Sequence, residues 1–210
     1  DASYANNTDK SSQRGQTIFL AAPRERSADT KGSLIDYESQ KIKRTVLSTT
    51  VAELYAFMKC FGTCQFLRGL WMDIFGSPAE LHMRTDANNL VTTASTTHLP
   101  EQKETIHMIN QLRQEACSGA IDDLAHVVSK DCLADCLTKT CAKPDALIQA
   151  VSTGTILNVD KHKSVRELMR TKHKAYAVEQ DSEYSSLIAW MAKNLKDARE
   201  IQTFVAIPVR

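Results

Sequence analysis

The sequence predicts a mixed α/β fold, a sheet with helices packed against it. Three observations carry that reading: three strand-like runs near the start, a long hydroxyl-capped helix behind them, and then helices alternating with further strand-like runs. Three strands in succession favour an antiparallel meander, whereas each later strand must be reached by a crossover. The composition agrees. With 210 residues, 42% of them hydrophobic and 24% charged, and only 7 Gly and 5 Pro, the chain can bury a sizeable core and is neither disordered nor fibrous.

Taken in order, residues 1–5 and 17–22 read as strands around the polar, turn-rich stretch 6–16, and 33–37 as a third strand after a charged loop holding Pro23, Arg24, Arg26 and Lys31. At Ser48-Thr49-Thr50 a hydroxyl cap is followed, three residues after Thr50, by Glu53. Apolar residues at 51, 54, 58, 61, 67, 71 and 74 then mark a long helix that ends by Gly76-Ser77-Pro78. Leu81 and Met83 alternate with His82 and Arg84, the period of a half-buried strand, so that Asp86 sits where a strand ends; a short helix over 88–94 follows. Pro100-Glu101 open another helix, apolar at 109, 112 and 116 and stopped by Ser118-Gly119. Residues 121–128 read as a strand, and Asp131 as the cap of a helix carrying Leu133, Ala134, Asp135 and Leu137. From 144 onward the pattern predicts a mainly helical extension over 144–210, with helices at 144–152, 163–170 and 182–199 and a strand at 203–207.

Charge and cysteine usage narrow the function classes. Twenty-six basic against 25 acidic residues leave a net charge of +1, so nucleic-acid binding has to come from local sites. No apolar run approaches the ~18 residues of a membrane span, and the start of the sequence lacks a signal-peptide pattern; both point to a protein that stays inside the cell, with its six cysteines reduced. Cys60/Cys64 and Cys132/Cys136 fall four apart on expected helices and could ligate zinc with His126, though small buried cysteines explain them more simply.

Four acidic residues occupy places where a fold could gather them: Asp1 in the first strand, Glu53 early in the long helix, Asp86 at a strand end, and Asp135 in the helix after the last strand. Converging carboxylates suit Mg²⁺, a hard cation that takes oxygen ligands. Two such ions ~3.5–4 Å apart clamp a phosphodiester, activating water on one side and stabilising the leaving oxygen on the other. Each residue also has a plainer reading, since Glu53 can complete a capping box, Asp135 can favour an early helical turn, and Asp86 can merely end a strand.

Four local phrases resemble those of the ribonuclease H domain of copia-type retrotransposon polyproteins. They are Asp1-Ala2-Ser3-Tyr4-Ala5, Leu47-Ser48-Thr49-Thr50-Val51-Ala52-Glu53-Leu54-Tyr55, Thr85-Asp86-Ala87-Asn88, and Leu133-Ala134-Asp135-Cys136-Leu137-Thr138-Lys139, in the family's order over residues 1–143. The resemblance implies a five-stranded mixed sheet flanked by helices. It implies that Asp1, Glu53, Asp86 and Asp135 are the catalytic, metal-binding residues, holding two Mg²⁺ or Mn²⁺ ions. The implied activity is endonucleolytic cleavage of the RNA strand of an RNA/DNA hybrid during reverse transcription, a hybrid being read by its backbone and 2′-hydroxyls and not by its bases. The implied setting is cytoplasmic, in a virus-like particle, or nuclear. Because the opening phrase falls at Asp1, the resemblance also implies a longer polyprotein with a reverse transcriptase portion upstream; a free α-amino group at Asp1 would add positive charge beside the carboxylates. The sequence departs from the family at Ala87, Val51 and Leu54, and the loop 23–32 is long, but no carboxylate is lost.

Lys41, Lys43 and Arg44 lie just before the long helix, where phosphates would be natural partners. A denser basic stretch runs from Lys161 to Lys174. His107, His126, Trp71 and Trp190 read as structural residues. The alternative to a nuclease is a non-catalytic remnant that keeps the fold as a scaffold or interaction module.

Overall fold

In the computed structural model, residues 1–22, 30–96 and 105–156 are described, all within the first of two compact units, Asp1–Met169 and Arg170–Arg210. The expected helices at 163–170 and 182–199, the strand at 203–207, the basic stretch 161–174 and Trp190 lie outside the described residues.

Among the described residues the fold is mixed α/β, with a mostly antiparallel sheet and four α-helices. Strands β1 (Ala2–Ser3), β2 (Gln13–Ala21) and β3 (Thr30–Lys41) form the expected meander. β1 is shorter and β2 and β3 are much longer than their apolar runs. β2 and β3 pair antiparallel from Gln13↔Lys41 to Ala21↔Gly32, with a bulge between Ile18 and Phe19. Polar cross-strand contacts prolong this ribbon, such as Gln16 Nε2 donating to Asp36 Oδ2 at 3.0 Å.

Helix α1 (Thr49–Phe75) is capped by Ser48, whose Oγ accepts from Val51 N–H at 3.3 Å, and it ends at Gly76 in the left-handed region (φ 68°). The cap is therefore Ser48 and not Thr50, and Glu53 does not close a capping box; its carboxylate is used elsewhere. After α1 come β4 (His82–Thr85), α2 (Asn88–Ser95), α3 (Ile106–Ser118) and β5 (Asp123–His126), β4 and β5 pairing in parallel in register His82↔Asp123 to Thr85↔His126. α4 (Asp145–Thr153) leads into β6 (Thr155–Ile156), which pairs antiparallel with β3 at Thr30 and Lys31. Among the described residues no helix is long and apolar enough to cross a membrane.

Two expectations are corrected. The helix anticipated from Asp131 through Leu137 is instead two single 3₁₀ turns, Ser129–Asp131 and Asp135–Leu137, so Asp135 does not stand on an α-helix. Each turn closes on its own local bonds, Asp131 N–H to Val128 C=O (2.8 Å) and Thr138 N–H to Asp135 C=O (3.2 Å), which leaves no continuous helical ladder. The second correction concerns the sheet. The described strands form a four-stranded sheet in the order β1-β2-β3-β6 and a separate β4-β5 pair, rather than one five-stranded sheet. β1 is only two residues long, so along its β1 edge β2 has no strand partner beyond Gly15. Residues of both β2 and β4 line a cavity of about 1150 Å³. Strands must lie about 4.8 Å apart to share a ladder, and these two do not bond.

The main core joins Leu54, Phe57 and Phe61 of α1 to Leu81, Met83, Leu90, Ile109, Leu112, Ile121 and Leu124. A smaller cluster of Ala2, Ile42, Val46, Val51, Ala52 and Ala56 clamps the start of α1 against β1. Trp71, expected in the core, is only half-buried, and stacks on Phe75 with ring centroids 4.1 Å apart.

Candidate metal centre

The small core cluster brings the start of α1 to β1, and the parallel β4–β5 pair points its strand ends at the same place. Asp1 is held against β2 by Gly15 N–H donating to its carbonyl at 3.0 Å. Its side chain is 1% exposed, with Oδ2 accepting from Thr138 Oγ1. Oδ1 is buried without a hydrogen-bond partner, Lys139 Nζ lying 3.9 Å away.

Glu53, at the start of the second turn of α1, is 7% exposed. One oxygen accepts from Ala2 N–H at 3.0 Å, and the other, Oε2, is buried without a partner. Burial holds this carboxyl above the ordinary range and the charge of Asp86 adds to that, against the pull of the N-terminal ammonium, the Ala2 N–H and Lys139. Asp86 follows β4 directly, and its carbonyl accepts from His126 Nε2–H at 3.1 Å, which ties the two parallel strand ends together.

Asp135 begins the second 3₁₀ turn, and its Oδ1 accepts from Lys139 Nζ. Lys139 thus stands between Asp135 and Asp1. Burial alone would lower its basicity, but the bond to Asp135 and the charges of Asp135, Asp86 and Glu53 outweigh that and raise it. The turn reaches this place because residue 15 is a glycine. A Cβ there would lie 2.8 Å from Thr138 Cγ2 and 2.9 Å from Leu137 Cβ, both too close.

The structure therefore brings Asp1 and Asp86 together, sets Glu53 beside them through its bond to Ala2 N–H, and keeps Asp135 at the margin behind Lys139. Glu53, Asp86, Asn88, Lys139, Thr49 and Thr50 line an open cleft of about 680 Å³ over the cluster. A sulfur joins the set: one ligand atom each from Asp1, Asp86 and Cys132 lie within 4.8 Å of one another. Two buried carboxylate oxygens without hydrogen-bond donors are what a divalent cation would satisfy, since a buried acceptor left without a partner is costly. The donor set fits such an ion.

The other candidates fall elsewhere. Among the described residues, neither Cys60/Cys64 nor Cys132/Cys136 gathers with His126 as metal ligands. Cys64 packs in the core, Cys136 Sγ lies 3.5 Å from Leu133 C=O, and His126 serves the Asp86 carbonyl. Of the basic residues before α1, Lys41 pairs with Asp9, Arg44 lies 6.0 Å from the Tyr55 ring centroid and Lys43 is exposed; none lines the cleft. Sequence reasoning missed Cys132, Thr138 and Lys139 as members of the site, although the last two sit in the phrase that ends at Lys139. Comparison of the chain with protein-family models, with curated proteins and with solved structures finds no match.

Proposed function

We propose that this chain is a metal-dependent endonuclease of the ribonuclease H type, cutting the RNA strand of an RNA/DNA hybrid as a retrotransposon does during reverse transcription. The observation that carries the reading is a pair of buried carboxylate oxygens without hydrogen-bond partners, Asp1 Oδ1 and Glu53 Oε2, near the Asp86 carboxylate. The choice of substrate rests on the four phrases that resemble the copia-type domain.

Asp1, Glu53 and Asp86 would hold Mg²⁺ or Mn²⁺, and Asp135 would complete the set when Lys139 yields it. Bound there, the ion would supply water activation and stabilisation of the leaving oxygen. The chain's own residues do the rest. Ala2 N–H and Thr138 Oγ1 each fix one oxygen of Glu53 and Asp1, which leaves the other free to ligate. Thr49, Thr50 and Asn88, on the wall of the open cleft, can donate to phosphate oxygens without reading bases. Lys139 balances the carboxylates and can follow a phosphate.

One observation favours the second reading, a non-catalytic scaffold: Asp135 is tied to Lys139 instead of turning into the cluster. Cleavage of a labelled RNA/DNA hybrid with Mg²⁺, alongside single-stranded RNA and duplex DNA, separates the two. The chain should carry several residues ahead of Asp1, so that its α-amine is an amide. Hybrid-specific cutting that disappears in Asp86→Asn supports the nuclease, and a folded protein that cuts nothing supports the scaffold.

A further inference from the structure

Cys132 lies between the two 3₁₀ turns, fixed by its N–H to Ser129 C=O (3.1 Å) and by its carbonyl accepting from Asp135 N–H (3.1 Å). This places its Sγ with a carboxylate oxygen of Asp1 and one of Asp86, all within 4.8 Å of one another. The Asp1 side chain in that group is 1% exposed and its Oδ1 lacks a hydrogen-bond partner. A buried oxygen without a hydrogen-bond donor calls for an explanation, of which a bound ion is one; the nearest counter-charge, Lys139 Nζ, lies 3.9 Å away. Sulfur beside two carboxylates is a poor environment for Mg²⁺, which prefers oxygen alone, and a good one for Zn²⁺, which takes both Cys and Asp ligands. In a tetrahedral Zn²⁺ shell neighbouring ligand atoms lie roughly 3.5 Å apart, so a cluster whose atoms all lie within 4.8 Å of one another needs at most about 1.3 Å of contraction.

We propose that Cys132 joins Asp1 and Asp86 as the sulfur ligand of a site for a thiophilic divalent ion, Zn²⁺ or its spectroscopic substitute Cd²⁺, which competes with a hard ion for the same two carboxylates. The step balances as one Cys132 thiol and one M²⁺ giving one metal–thiolate bond and one proton released to solvent. Burial, with the charges of Asp86 and Asp135, raises this thiol above its ordinary range, so without the metal the sulfur is a neutral thiol and a weak nucleophile. The site's existence does not depend on the nuclease reading. Only its consequence does: on that reading an ion at Cys132 displaces Mg²⁺ and stops hydrolysis.

The test is a Cd²⁺ titration of the full chain, followed by the thiolate-to-cadmium charge-transfer band in the ultraviolet. Wild type should show a band that saturates at one ion per chain, is lost in Cys132→Ser, is shifted at least tenfold in Cd²⁺ concentration in Asp86→Asn, and is competed by excess Mg²⁺. The second measurement uses no variant: Cd²⁺ should slow alkylation of Cys132 selectively over Cys117 and Cys141, both exposed, as mapped by mass spectrometry. A band that survives Cys132→Ser, or alkylation of Cys132 indifferent to Cd²⁺, overturns the proposal. Both readouts are of binding, so a chain that takes Cd²⁺ in this way and cuts no hybrid sinks the nuclease and leaves the site standing, whereas hybrid cleavage by a chain indifferent to Cd²⁺ does the reverse.

Discussion

Glu53→Gln changes one atom and one charge at the cluster, so its effects isolate what that carboxylate costs. Glutamine keeps a carbonyl oxygen for the Ala2 N–H, now 3.0 Å from Glu53 Oε1, and puts an amide nitrogen where Oε2 lies buried without a partner. A buried polar group without a partner costs about 1–3 kcal/mol, and the substitution also removes the repulsion between Glu53 and the Asp86 charge. The metal-free variant should therefore be more stable than wild type near neutral pH by about 1 kcal/mol, or about 2–4 °C in Tm for a chain of this size.

The pH dependence follows from the direction of the shift. The folded protein holds the Glu53 carboxyl above its ordinary value of 4.5, so protonation stabilises the fold. That contribution is fully present below the unfolded value and is lost as pH rises through the higher folded value. The variant's advantage should vanish near about pH 4 and open above it. Mg²⁺ should reverse the order. An ion that binds only the folded state at a hundred times its Kd adds about 2.7 kcal/mol, and the variant should gain little of this. Urea unfolding followed by circular dichroism, at both pH values with and without Mg²⁺, reads all four cases. A variant less stable than wild type by more than about 1 kcal/mol without metal at neutral pH would refute the reasoning, since Glu53 would then be a structural anchor of β1 with a charge-assisted bond to Ala2.

Gly15→Ala should destabilise by about 1–3 kcal/mol in urea, because its Cβ meets Thr138 and Leu137, and should also reduce stabilisation by Mg²⁺; an unchanged metal response would detach the second 3₁₀ turn from the site. Ser48→Ala removes the acceptor for Val51 N–H and should cost about 1 kcal/mol, measured by thermal unfolding, with no effect if the cap is solvated instead. The Asp123 carboxylate and then Glu80 raise the basicity of His82, outweighing its partial burial, so its stabilising contribution is full below about pH 6.5 and is lost as pH rises through the higher folded value. His82→Asn should flatten that part of the stability profile, and an unchanged slope would assign it to another group.

Much of the fold was legible because its signals were local. The hydroxyl cap within Ser48–Thr50, the apolar spacing of Val51, Leu54 and Phe61 and the stop at Gly76 are all decided within or beside α1, and Ile109, Leu112 and Ala116 within α3. Strand length was less legible. β2 and β3 continue through polar residues such as Gln16, Glu38 and Gln40, because the ladder between them needs no apolar partner at each step. The turns at Ser129–Asp131 and Asp135–Leu137 looked like one helix because their residues alternate in polarity as a helical face does. The second turn also packs closely against Gly15, more than a hundred residues earlier, a contact that no local pattern announces.

The site divides the same way. Asp86 was legible from the end of a strand, but nothing in the sequence around Lys139 announces that its ammonium stands between Asp135 and Asp1, or that Cys132 faces two carboxylates. Those relations follow from packing. They also give the cluster a simple electrostatic sense. Asp1, Glu53, Asp86 and Asp135 bring four formal negative charges, and among the described side chains Lys139 is paired against two of them, Asp1 and Asp135. The formal remainder of three negative charges is what divalent cations would offset. Lys139 is then the internal counter-ion of the metal-free cluster, held between Asp135 Oδ1 and Asp1 Oδ1.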